Sequence, residues 1–198
     1  MNETYKVQVQ DLVDDLKAVF THAGLGGEAG EYKLLTQSFL YKFLNDKFLY
    51  QAKVLDESNT YENLLAMSED DYDWLLEDIG TSTAWLKPDQ LIETLHRQQN
   101  EATFYESFED TLNQIAIDNN DIFSVHTDGD TAIRLFDERL ITDTISDSSK
   151  RNEVAKAIIN LLARVKFDET IFSQGFDFFS TLFEYMIKDY NKDGGGKY

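Results

Sequence analysis

Residues 31–48 read EYKLLTQSFLYKFLNDKF. Leu35, Phe39 and Phe43 recur at i, i+4 and i+8, and Leu34, Leu40 and Leu44 form a second apolar row beside them. Recurrence at three and four residues marks an α-helix. The apolar face here is too wide for a helix that lies on a surface. Such a helix is central and touched on more than one side. The spacing predicts it over 31–51, with the rest of the chain packed round it.

Working outward, Val9, Leu12, Leu16, Val19 and Phe20 make one face of an upstream helix, and Gly24, Gly26, Gly27 and Gly30 interrupt the pattern. Downstream, 56–60 reads as a polar loop. Ser68 followed by Glu69, Asp70 and Asp71 marks a helix start, because the hydroxyl caps free N–H groups and the acids meet the positive end of the dipole. Gly80 is placed to end that helix. Pro88, the sole proline, fits the first turn of a helix running to about Arg97. Further stripes are Phe104, Phe108, Leu112 and Ile115, then Val154, Ile158, Leu161 and Val165, and finally Phe179, Leu182, Phe183, Met186, Ile187 and Tyr190.

Helical signal is weakest over 118–147. DNND (118–121) and TDGD (127–130) are turn-rich, and IFSV and AIRLF are short enough for strands or irregular structure. The expected fold is all-α, a multi-helix bundle of six to eight helices with a short irregular or β-like excursion around 118–147.

The 198 residues are 42% hydrophobic, which supplies a core and argues against disorder. Eighteen basic side chains face 37 acidic ones, a formal charge of −19 shared evenly between the halves. That charge argues against nucleic-acid binding by bulk electrostatics, though it leaves room for a local basic face. With no cysteine, disulfide scaffolds, Cys-ligated zinc, iron–sulfur clusters and cysteine nucleophiles are excluded. His22, His96 and His126 lie far apart, and the first two sit at expected helix C-termini, an ordinary place for histidine. No apolar stretch approaches the roughly 20 residues that span a bilayer. The N-terminus lacks a basic-then-apolar signal pattern, so the expected compartment is the cytoplasm, with no membrane partner.

Few groupings suggest chemistry. Asp189, Asn191, Asp193 and Gly194 fit the first half of a calcium loop, but its twelfth-position glutamate would fall beyond Tyr198. A helix end running into a glycine linker explains them better. Ser124, His126, Asp128 and Asp130 lack a nucleophile elbow and read as a polar turn. Residues 150–166 stand apart from the acidic background, with Lys150, Arg151, Lys156, Arg164 and Lys166 against Glu153 alone. These cations are either a solvated helix face or a contact for phosphates or an acidic partner. On charge alone, Lys150, Arg151 and Lys156 are the candidate DNA-binding residues.

Two segments resemble a known family. The run 31–48, through Glu31, Tyr32, Lys33, Phe39, Lys42, Asp46 and Phe48, is similar to the N-terminal helical domain of modification (methyltransferase) subunits of type I restriction–modification systems. FDFFSTLFEYMIKDY (176–190), with its Glu184–Tyr185 step and the glycines 194–196, resembles the end of that domain. The resemblance implies a helical domain over 1–190 and a Gly-rich linker over 191–198 leading to a catalytic domain outside this chain. Whole subunits of the family transfer a methyl group from S-adenosylmethionine to adenine N6 in DNA. The Asn-Pro-Pro-aromatic motif and cofactor loop of that chemistry are not in this sequence. The fragment is therefore expected to be inactive alone, with no catalytic, cofactor-binding or metal residue of its own. Implied partners are DNA, the specificity subunit, a second modification subunit and the restriction subunit. The alternative is a stand-alone acidic helical module that binds a basic protein, or a DNA mimic.

Overall fold

The computed structural model describes residues 3–121, 135–167 and 169–173. Its helices are α1 (Glu3–His22), α2 (Ala29–Leu55), α3 (Tyr61–Ala66), α4 (Glu69–Ile79), α5 (Ile92–Arg97), α6 (Phe104–Asp118), α7 (Leu140–Thr144), α8 (Arg151–Arg164) and α9 (Glu169–Ser173). Two 3-10 turns, Pro88–Gln90 and Ser148–Lys150, lie between them. The architecture is an all-α bundle with no strand among the described residues.

The 27-residue α2 is the centre, touching α1, α4, α7, α8 and α9. Leu34, Ser38, Tyr41, Asn45, Phe48 and Ala52 make one buried stripe along it. Glu31, Leu35, Phe39 and Lys42 make a second, so α2 is enclosed on two sides as its sequence requires. Opposite it, α8 packs on α1, α5 and α6 through Val154, Ala155, Ile158, Ile159 and Leu162. The stripes of α1 and α6 are buried where the spacing places them, with Leu12, Leu16, Phe20, Phe104, Phe108, Leu112 and Ile115 inside and Val19 at the margin.

Local chemistry sets the helix ends. The Ser68 hydroxyl accepts the Asp71 N–H at 3.2 Å and Gly80, at φ +63°, closes α4, both as the sequence indicates. Before α2 the Glu31 carboxylate accepts the Gly27 N–H at 2.7 Å, and Gly24 and Gly27 take the left-handed conformations of the turn.

The structure corrects the single helix expected from Pro88 to Arg97. A 3-10 turn and α5 meet at a break where Leu91 is extended, with φ −69° and ψ +143°. Groups freed by that break find partners on α2. Asn45 Oδ1 accepts the Ile92 N–H at 2.9 Å, and the Tyr41 hydroxyl donates to the Gln90 carbonyl at 2.6 Å.

In the weak region, α6 runs to Asp118 and the buried Asn119 ends it. The Asn119 amide donates to the Ile115 and Trp85 carbonyls at 2.9 and 2.8 Å, and its oxygen accepts the Trp85 N–H. The described part after residue 134 begins irregularly and then forms the one-turn α7, whose Leu140 and Ile141 are buried. The Glu109 carboxylate anchors it by accepting the Thr142 N–H and hydroxyl. The segment 122–134, with Ser124, His126, Asp128 and Asp130, lies outside the described residues, as do 176–190, the calcium-loop residues Asp189, Asn191 and Asp193, and the 191–198 linker.

Candidate functional site

Polar side chains of α2 open onto a cleft of about 470 Å³. Its walls come from α2, the start of α3, α5, the strap 165–167 and α9. At its floor, Lys42 Nζ meets Asp46 Oδ2 at 2.9 Å, with the two side chains only 4% and 12% exposed. One helical turn separates them, the spacing at which opposite charges face each other. The Asn45 amide donates to Asp46 Oδ1 at 2.9 Å, and Lys42 Nζ sits 5.6 Å from the centre of the Phe167 ring. Burial pushes the Lys42 ammonium below the ordinary lysine value, Asp46 opposes that shift, and Lys166 adds to it.

Much of the rim is paired as well. Arg97 reaches Glu62 at 2.5 Å and Glu93 at 3.2 Å, and its guanidinium lies 4.8 Å from the centre of the Tyr61 ring. The hydrogen bond to Glu62, more than any other effect, raises the Arg97 pKa. Lys53 meets Glu169 at 3.5 Å. With Lys166 also in the lining, the cleft holds four cations against Asp46, Glu62, Glu93 and Glu169, and a formal charge of zero gives it no pull on phosphate. Its chemistry suits fastening α2 to the strap and to α5.

The sequence-predicted cations are spread over α8 and its approach. Lys150 is exposed and Lys156 half-buried. Arg151 is half-buried, and its guanidinium donates to the Ile145 carbonyl at 2.9 Å and to the Thr142 carbonyl at 3.4 Å, 5.8 Å from the Tyr105 ring centre. Arg151 thus supplies donors to the C-terminal end of α7. Arg164 pairs with Asp15 at 3.1 Å. Arg151 and Lys156 are about 140° apart round the helix, so the three candidates do not share one stripe. Lys150 and Lys156 make no such bonds among the described residues, and six positions set them about 120° apart, so they present two separate charges rather than one patch. His96 hydrogen-bonds Asn160 at 2.9 Å, a link between α5 and α8. No group of three or more histidines and carboxylates placed to hold a metal occurs among the described residues.

The Lys42–Asp46 cleft is not among the candidate sites that the sequence indicates. Its one signal there is a lysine and an aspartate four apart inside an otherwise apolar helix. Compared with family models, with curated proteins and with solved structures, the chain matches none.

Proposed function

We propose that the chain is the N-terminal helical arm of a type I restriction–modification modification subunit, a DNA adenine methyltransferase, and that it clamps DNA and assembles subunits rather than catalysing. The observation that carries this reading is the segment 31–48. Five of its seven family-like positions organise the bundle: Glu31 closes the turn before α2, Lys42 and Asp46 form the buried pair, and Phe39 and Phe48 are fully enclosed, while Tyr32 and Lys33 are exposed. Such residues specify a rigid arm.

On this reading the parent protein binds S-adenosylmethionine in a domain beyond this chain. It works in the cytoplasm with DNA, a specificity subunit, a second modification subunit and a restriction subunit. No helix of the described residues is long and apolar enough to cross a membrane, which accords with that setting. Lys150 and Lys156 supply the local positive charge toward DNA, and the specificity subunit reads the sequence.

The test is a methyl-transfer assay with labelled S-adenosylmethionine and adenine-containing DNA, with the specificity subunit present. The 198-residue chain alone transfers nothing, whereas the chain extended through its following reading frame labels the DNA. Transfer by the chain alone, or none by the extended protein, contradicts the proposal. The charge of −19 favours a second reading, a free-standing acidic module for a basic protein. That reading expects salt-sensitive capture of a DNA-binding protein in the absence of any methyltransferase subunit.

A further inference from the structure

We propose that the exposed face of α4 centred on Trp74 is a docking surface for a basic helical segment of a partner protein. The inference is independent of the methyltransferase reading. The helix buries Tyr72, Leu75, Leu76 and Ile79 and leaves the Trp74 side chain outside, 67% exposed. The other tryptophan, Trp85, is half-buried and donates its indole N–H to the Gly80 carbonyl at 2.6 Å. Exposed aromatic surface of this size is what interfaces use as an anchor.

Its surroundings select the partner. Three and four positions to either side of Trp74 lie Asp70, Asp71, Glu77 and Asp78, the four positions that neighbour it on a helix surface. Glu69 and Asp73 bring the carboxylates to six in eleven residues, and α4 holds no basic residue. All six are exposed, and among the described residues none pairs with a lysine or arginine.

The fold explains only some of these acids. Glu69, Asp70 and Asp71 favour the helix from its first turn. Glu77 and Asp78 stand at the opposite end, where the dipole is negative, and Asp73 and Glu77 repel across one turn. Those placements cost helix stability, and nothing in the bundle offsets them. A cationic helix would, seating an arginine or lysine on the indole face with further basic groups over the carboxylates. DNA and anionic lipid are repelled by the same charges. At roughly 16 Å, α4 matches about three turns of such a helix.

The test uses the full 198-residue chain labelled with nitrogen-15, in which two tryptophans give two indole N–H signals. The probe is a synthetic helical peptide with arginines at i, i+4 and i+7. The Trp74 signal shifts on titration and the Trp85 signal stays. Trp74→Ala weakens binding about tenfold, the loss expected of a truncated aromatic anchor. Glu77→Gln with Asp78→Asn weakens it clearly, whereas Asp11→Asn with Asp110→Asn, the same charge removed from α1 and α6, does so only slightly. Undiminished binding by Trp74→Ala, or equal losses from the two double variants, overturns the proposal. So does single-stranded DNA or an anionic vesicle shifting the Trp74 signal when the peptide does not.

Discussion

Lys42 Nζ lies 2.9 Å from Asp46 Oδ2 on the central helix, and Asp46 Oδ2 also faces the N–H of Phe167 at 3.5 Å, 121 positions along the chain. A buried pair of this kind is weak as a source of stability but strong as a constraint, because removing one partner leaves the other charge without compensation. Asp46→Asn is expected to lower unfolding free energy by about 3 kcal/mol, more than Lys42→Met, after which the Asp46 carboxylate still keeps the Asn45 amide and the Phe167 N–H as donors. Urea denaturation checks the order. Equal small losses from both substitutions would mean that the pair is solvated.

Ser38 sits on α2 fully buried, and its hydroxyl has no hydrogen-bond partner among the described residues. Removing a buried, unsatisfied oxygen relieves its desolvation cost. Ser38→Ala is expected to stabilise the bundle by about 1 kcal/mol, read as a higher urea midpoint at unchanged slope. A loss of that size would show that the hydroxyl is satisfied in solution.

Tyr41 and Tyr72 donate their hydroxyls to the Gln90 and Leu86 carbonyls inside the bundle. Burial, reinforced by Asp89, raises both phenols above their ordinary value of 10.0. The native state keeps these protons where the unfolded chain releases them. Their contribution is complete below pH 10.0 and is lost as pH rises through the folded values. Lys42 acts in the other direction. Its native pKa is depressed, so stability rises with pH between that lowered value and the ordinary 10.5. Tyr72→Phe should cost about 1 kcal/mol at neutral pH and flatten the alkaline fall, and Lys42→Met should remove the rise. Denaturation midpoints followed across this range decide both; an alkaline limb unaltered by Tyr72→Phe contradicts the assignment.

Arg151 and its neighbours separate structure from binding. Arg151→Ala should destabilise the junction of α7 and α8 by about 1–3 kcal/mol, because the Ile145 and Thr142 carbonyls lose a charged donor. Lys150→Glu with Lys156→Glu should leave stability nearly unchanged. In the reconstituted complex it should weaken DNA binding and lower the salt slope. An unchanged slope would make these lysines solvated surface only.

The stripes ending in Phe20, Leu44 and Ile115 are legible in the sequence because each repeats over about three turns, and the caps Ser68 and Gly80 act within a few residues of themselves. The break at Leu91 is not, because its partners Tyr41 and Asn45 are 49 and 47 positions from Gln90 and Ile92. Six-residue α3 and five-residue α7 are too short to show a period. Lys42 and Asp46 are visible as a pair, but their burial depends on a strap that only the folded chain brings over them. Arg151 reads as a free cation until α7 exists to offer it carbonyls.

The most direct measurement of the central claim is the coding sequence that follows the codon for Tyr198. An open frame is expected there, continuing into an aromatic–Thr–Pro motif and, further on, an Asn-Pro-Pro-aromatic motif. A stop codon at that point, or an open frame without either motif, would contradict the claim.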